Sequence, residues 1–120
     1  MASILLIDDE PGIRALLRTA LEGAGHEVIE AANGRMGVDL YRRRPTDLVI
    51  TDLYMPEQNG LQTILELTRE FLDTKVIAMS GAHGEQNCLD VAKLLGARKT
   101  FQKPFSIQEL LSAVQYELHH

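Results

Sequence analysis

Short apolar runs alternate with helix-periodic stretches five times along the chain. Ile4-Leu5-Leu6-Ile7 is the first run, and it stops at Asp8-Asp9-Glu10. From Pro11 onward, Ile13, Leu16, Leu17, Ala20 and Leu21 recur at helical spacing; Pro11 suits a first turn, and Gly23 and Gly25 suit a stop. Val28-Ile29 is the second run. Asn33-Gly34 then opens a helical stretch to about Arg44 that holds Met36, Val38, Leu40 and Tyr41 and is closed by Pro45. Leu48-Val49-Ile50 predicts a third strand ending at Thr51-Asp52, and a loop with Pro56 and Asn59-Gly60 follows. The next helix carries Leu61, Ile64, Leu65, Thr68 and either Phe71 or Leu72. Val76-Ile77-Ala78-Met79 is the fourth strand and ends at Ser80-Gly81. Cys88, Val91, Ala92 and Leu95 predict the inner side of the next helix, with Gly96 as its cap and Leu89 and Leu94 nearer the rim. Residues 98–102 form the fifth strand, followed by Lys103-Pro104-Phe105. Ser106, with Glu109 three residues on, reads as the start of a last helix that buries Ile107, Leu110, Leu111 and Val114.

Strand then helix, five times over, predicts an α/β fold: a five-stranded parallel sheet with right-handed crossovers and helices on both faces. The near-continuous apolar runs suit strands covered on both sides. Sheets of this kind bind ligands beyond the carboxyl ends of their strands, where the strand order reverses. The residues just past those ends are Asp8-Asp9, Asp52, Ser80 and Lys103.

Composition narrows the function classes. The 120 residues make one domain, 1–120, and a hydrophobic fraction of 45% with no tryptophan predicts an ordinary aliphatic core. Twelve Lys and Arg against seventeen Asp and Glu give a net charge of −5, which repels phosphate backbones and argues against direct nucleic-acid binding. The single Cys88 forms no internal disulfide, and no spacing suggests structural zinc. The first apolar run is too short for a signal peptide, and no run approaches the roughly 18 residues of a membrane span. A cytoplasmic protein with no membrane segment is the expectation. No glycine-rich phosphate loop follows any strand; Gly23-Ala24-Gly25 follows a helix.

Taken singly, each residue at the strand ends has a plain structural role. Asp8-Asp9-Glu10-Pro11 suits the positive end of a helix, Asp52 a loop, Ser80 a turn, and Lys103 a solvated surface. Their shared position at strand ends changes that. Three carboxylates in one cleft repel one another unless a cation intervenes, and an open site of oxygen ligands favours Mg²⁺. A hydroxyl and an ammonium beside them form a cradle for phosphoryl oxygens. A carboxylate attacking phosphorus there would give an aspartyl phosphate.

Asp8-Asp9, Asp52-Leu53-Tyr54-Met55-Pro56 with Asn59-Gly60, Ser80-Gly81-Ala82, and Gly96-Ala97 followed by Lys103-Pro104-Phe105 run in order through nearly the whole chain. This ordered set resembles the receiver domain of two-component response regulators. The resemblance implies a flavodoxin-like three-layer sandwich with strand order 2-1-3-4-5 and five helices. It implies that Asp52 accepts a phosphoryl group from a phosphohistidine on a sensor histidine kinase or a histidine phosphotransfer protein. It also implies that Asp9, Asp52 and the backbone carbonyl of Tyr54 ligate Mg²⁺ directly, with Asp8 acting through water. Ser80 and Lys103 would hold phosphoryl oxygens, and Lys103-Pro104 would be cis. Such a phosphoprotein is a signalling switch or phosphorelay intermediate, not an enzyme in the ordinary sense. The alternative is a receiver-like module that binds a partner without being phosphorylated. A phosphatase of the haloacid dehalogenase type would carry a second Asp where Tyr54 stands, and a flavodoxin a hydroxyl-rich loop in place of Asp8-Asp9-Glu10.

The chain departs from the family's usual pattern at Thr100, where many receivers carry Tyr or Phe. Phe101 is adjacent but alternates to the opposite face. Tyr54 and Ala82 occupy positions that in the family tune water access to the phosphoryl group, with His83 close by. Kinase-side docking would use Ile13, Arg14, Ala15, Met55, Pro104 and Phe105, with Arg14 and Arg18 facing outward. Output would leave through the fourth helix, fifth strand and fifth helix. There Leu89, Leu94 and Tyr116 are candidates for a patch that meets a downstream protein or forms a weak homodimer.

Overall fold

Each apolar run becomes a strand and each periodic stretch a helix. The computed structural model describes residues 2–53, 59–81 and 86–120, the side chains at 86 and 87 excepted. In chain order the elements are β1 (Ser3–Ile7), α1 (Pro11–Gly23), β2 (Glu27–Ala31), α2 (Gly34–Arg43), β3 (Leu48–Asp52), α3 (Gly60–Glu70), β4 (Val76–Ser80), α4 (Gln86–Leu95), β5 (Lys99–Gln102) and α5 (Ile107–Leu118). The sheet order is β2-β1-β3-β4-β5, and every neighbouring pair is parallel.

Alternation along the strands divides the core in two. Leu5, Ile7, Val49 and Ala78 pack with Val38 and Tyr41 of α2, Ile64 and Leu67 of α3, and Leu89 and Ala92 of α4. Ile4, Leu6, Ile50, Ile77, Met79 and Phe101 pack on the other face with Leu17 and Leu21 of α1 and with Leu110 and Val114 of α5. Burying one such aliphatic side chain is worth about 2 kcal/mol, so this patterning dominates the choice of fold. Side chains of Asn33, Asn59 and Ser106 accept from the amides of Met36, Gln62 and Glu109, capping α2, α3 and α5. Gly25 (φ 94°) and Gly96 (φ 120°) take the left-handed conformation after α1 and α4. No helix among the described residues is long and apolar enough to cross a membrane.

Several side chains lie elsewhere than the periodicity predicts. Leu89 is buried in the core while Val91 is exposed, so α4 is rotated toward the Cys88-Leu89-Ala92 side. Six of its positions from 88 to 95 are apolar, which leaves the pattern ambiguous about its inner face. Leu16, Met36 and Leu65 are likewise exposed, at the margins of their helices. Phe71 rather than Leu72 reaches the core, its ring 4.9 Å from that of Tyr41, edge to face. Phe101 faces α1 and α5 as alternation predicts, whereas Thr100 pairs with Ala78.

Candidate functional site

The strand order reverses between β1 and β3: the chain leaves β1 for β2 at one edge and returns to β3 on the other side. The β1–β3 register runs to Ile7 opposite Thr51, so Asp8 and Asp52 come next to each other at the carboxyl edge. Asp52 pairs with Met79 and Ser80 with Gln102, which brings Ser80 and Lys103 along the same edge. The Lys103 amide donates to the Ser80 carbonyl at 2.7 Å, and the Lys103-Pro104 bond is cis.

One carboxylate oxygen from each of Asp8, Asp9 and Asp52 lies within 4.8 Å of the other two. Asp8 is 0% and Asp52 4% exposed; Asp9 is half-buried, and Ser80 is fully buried at the end of β4. Buried like charges need compensation. Lys103 supplies part of it, with its Nζ 3.4 Å from Asp8 Oδ2 and 3.4 Å from Asp52 Oδ2. Burial pulls the Lys103 ammonium down, but the charges of Asp52 and Asp8 and their hydrogen bonds outweigh it, so its pKa stands above the ordinary lysine value. One ammonium against three carboxylates leaves a formal excess of negative charge.

That donor set fits Mg²⁺. It consists of hard oxygens, its net charge calls for a cation, and part of it is open to solvent. Opposite ligands of an octahedral Mg²⁺ sit about 4 Å apart, so a 4.8 Å cluster closes onto one ion with small movements or with water in one position.

Local contacts hold these groups in place. The Asp8 amide donates to the Ala31 carbonyl at 3.1 Å, and Asp8 Oδ1 accepts from the Glu10 amide at 2.9 Å. Asp8 therefore shapes the turn into α1 as well as facing the cleft, while Glu10 takes the N-cap position without a side-chain bond. At β3, Thr51 Oγ1 donates to the Asp52 carbonyl at 3.0 Å, and the Leu53 amide donates to the Met79 carbonyl at 2.9 Å.

The sites read from the sequence at Asp8, Asp9, Asp52, Ser80 and Lys103 thus fall along one edge. The Tyr54 carbonyl, Met55, Pro56, Ala82 and His83 lie outside the described residues. Arg14 does not face outward: its Nη1 donates to the Asp8 main-chain carbonyl at 2.7 Å and its Nε to Glu30 at 3.1 Å. Arg18 pairs with Glu22 and Glu30. Gly60 also escaped the sequence reading as a site residue. A Cβ there would stand 2.3 Å from the Asp52 carbonyl oxygen and 2.6 Å from Leu53 Cα. The Asn59-Gly60 pair signals a turn, but only the packing of α3 against the end of β3 shows why glycine is needed.

A family model described as the response regulator receiver domain matches residues 4–115. Sporulation initiation phosphotransferase F of Bacillus subtilis (strain 168) is 35% identical over 112 residues, covering 93% of this chain and 90% of that protein. The KDP operon transcriptional regulatory protein KdpE of Escherichia coli (strain K12) is 37% identical over 118 residues, covering 98% of this chain; the chain spans 52% of that protein's length. Among solved structures, response regulator protein TrrA from Thermotoga maritima, in complex with Mg²⁺-BeF, aligns with a TM-score of 0.89 and 32% identity, covering 98% of this chain and 99% of that one. Ordered motifs, strand order and relatives agree: this chain belongs to the receiver domains of two-component response regulators.

Proposed function

We propose that Asp52 is the phosphoacceptor of this receiver, that Asp8, Asp9 and Asp52 with the Tyr54 carbonyl hold Mg²⁺, and that Ser80 and Lys103 receive the phosphoryl oxygens. The observation that carries the reading is Lys103 Nζ standing 3.4 Å from both Asp8 and Asp52 in a cluster of three carboxylates. The Mg²⁺-BeF complex of the TrrA relative supports it by analogy. In the reaction, an Asp52 oxygen bonds to the phosphorus of a phosphohistidine while the P–N bond breaks and its electron pair stays on the imidazole nitrogen. Lys103, already charged, moves from its shared position between carboxylates to a phosphoryl oxygen, and the Ser80 hydroxyl donates to another. When bound, Mg²⁺ offsets the carboxylate charge and withdraws charge from the transferring group. Hydrolysis reverses the state: water attacks phosphorus and the Asp52–phosphorus bond breaks. The domain is then a switch and not a turnover catalyst.

A histidine kinase or phosphotransfer protein is the donor this chemistry calls for. An apolar groove beside Lys103, formed by Ile13, Leu16, Leu17, Pro104, Phe105 and Ile107, suits its docking. Leu16 is 56% exposed there, as a docking side chain should be. On the output side Leu89 is core, while Val91, Leu94 and Tyr116 are exposed, and Tyr116 lines a groove with Lys93, Arg98 and Lys99. Incubating the chain with acetyl phosphate and Mg²⁺ and measuring intact mass tests the reading. One phosphoryl mass should appear, require Mg²⁺ and vanish in Asp52→Asn. A chain that gains no mass is instead a binding module.

A further inference from the structure

We infer that Arg14 is a positioning residue for the cation site, acting through the main-chain carbonyl of Asp8; this rests on the Mg²⁺ reading above. The Asp8 carbonyl belongs to the peptide unit that links Asp8 to Asp9. A hydrogen bond to that oxygen fixes the plane of the unit and thereby the directions in which two of the three carboxylates leave the chain. Arg14 Nη1 makes that bond at 2.7 Å, while its Nε is held by Glu30 Oε1 at 3.1 Å. The guanidinium is planar, so an anchor at Nε sets where Nη1 points. Glu30 is in turn held by Arg18, whose Nη1 donates to its other oxygen. The Arg14 side chain is only 18% exposed, which keeps water from competing for the carbonyl.

Tying α1 to β2 does not require the bond to Asp8. Arg18 makes an α1–β2 pair with Glu30 and has no bond to the metal cluster among the described residues. The Asp8 contact is thus a separate task, and outer groups that orient metal ligands commonly control affinity by tenfold or more. Lysine cannot reproduce the two-point contact, because its ammonium has no rigid fork.

Three variants and two readouts decide the matter: Arg14→Ala, Arg14→Lys and Arg18→Ala, each followed by Mg²⁺ calorimetry and by the amide resonance of Asp9 in metal-free protein. Both Arg14 variants should bind Mg²⁺ about tenfold more weakly. Both should also shift the Asp9 amide, whose nitrogen shares the peptide unit with the Asp8 carbonyl. Arg18→Ala leaves the bonds from Arg14 to Glu30 and to the Asp8 carbonyl in place and should change both readouts far less than either Arg14 variant, although it loses two ion pairs. Should Arg14→Ala fail to fold, Arg14→Lys carries the test. Unchanged Mg²⁺ affinity or an unmoved Asp9 amide in the Arg14 variants overturns the inference alone, as does an equal loss in Arg18→Ala. A wild-type chain that binds no Mg²⁺ overturns the proposed function and the inference with it.

Discussion

Replacing Gly60 with alanine should damage the fold and the site together. The added Cβ would stand 2.3 Å from the Asp52 carbonyl oxygen, 2.6 Å from Leu53 Cα and 2.9 Å from Leu53 Cδ2. Two of those three atoms are backbone, so no rotamer change relieves the clash. Ordinary contact starts near 3.4 Å, which means that α3 and the end of β3 must separate by about 1 Å. The separation also stretches the bond from the Gly60 amide to the Leu53 carbonyl, now 3.1 Å. Overpacking of this kind costs about 2–3 kcal/mol, equivalent to a fall of about 10 °C in the thermal midpoint for a domain of this size. Since Asp52 rides on the strand that is pushed, phosphorylation by acetyl phosphate should slow by up to about 100-fold. Gly37→Ala is the comparison. Its Cβ would meet the side-chain carbons of Ile7 at 2.3 and 2.8 Å, and that flexible end can turn aside at lower cost. Calorimetry and a phosphorylation time course on both variants check the claim. A Gly60→Ala protein as stable and as readily phosphorylated as wild type would refute the assignment of Gly60 as the close-approach point.

Further expectations follow from charge and burial. Lys103→Met should tighten Mg²⁺ binding, because the ammonium between Asp8 and Asp52 competes with the metal for the same oxygens; titration calorimetry should show a lower dissociation constant, and an unchanged one would contradict the shared-carboxylate geometry. Burial holds the His26 pKa below the ordinary histidine value, and Nδ1 is buried without a hydrogen-bond partner among the described residues. The unfolded chain therefore takes up this proton first, so stability should be full above pH about 6.5 and decline below it. His26→Gln should flatten that part of a denaturation-against-pH curve, and a curve identical to wild type would contradict it. Hydrogen bonding from Arg18, aided by Arg14 and opposed by burial, holds the Glu30 carboxyl below its usual range. Its contribution is present above the unfolded value of about 4.3 and is lost as pH falls through the lower folded one. Glu30→Gln should reduce the acid dependence in that lower window, which the same titration reads.

The strands, their C-terminal acids and the helix caps were legible because each depends on local chemistry: runs of aliphatic residues, Asn and Ser at helix starts, and glycine at stops. Strand order came from the resemblance, since periodicity alone does not say that β1 returns beside β3. Which face a helix buries was less legible wherever apolar residues exceed one stripe, as in α4, where Leu89 and Val91 exchanged places. What Arg14 and Gly60 do at the site was not legible for a different reason. Their roles depend on partners 6 and 8 residues away in sequence whose approach is set by the β1–β2 register and by α3 docking on β3.

The most direct test is a crystal structure of the chain grown with Mg²⁺ and fluoroberyllate. The expected result is the beryllium group on the Asp52 carboxylate, one Mg²⁺ among Asp8, Asp9 and Asp52, Lys103 Nζ withdrawn from Asp8 onto a fluorine, and the Ser80 hydroxyl on another. Fluoroberyllate bound elsewhere, or an Asp52 still paired to Lys103 with no metal beside it, would contradict it.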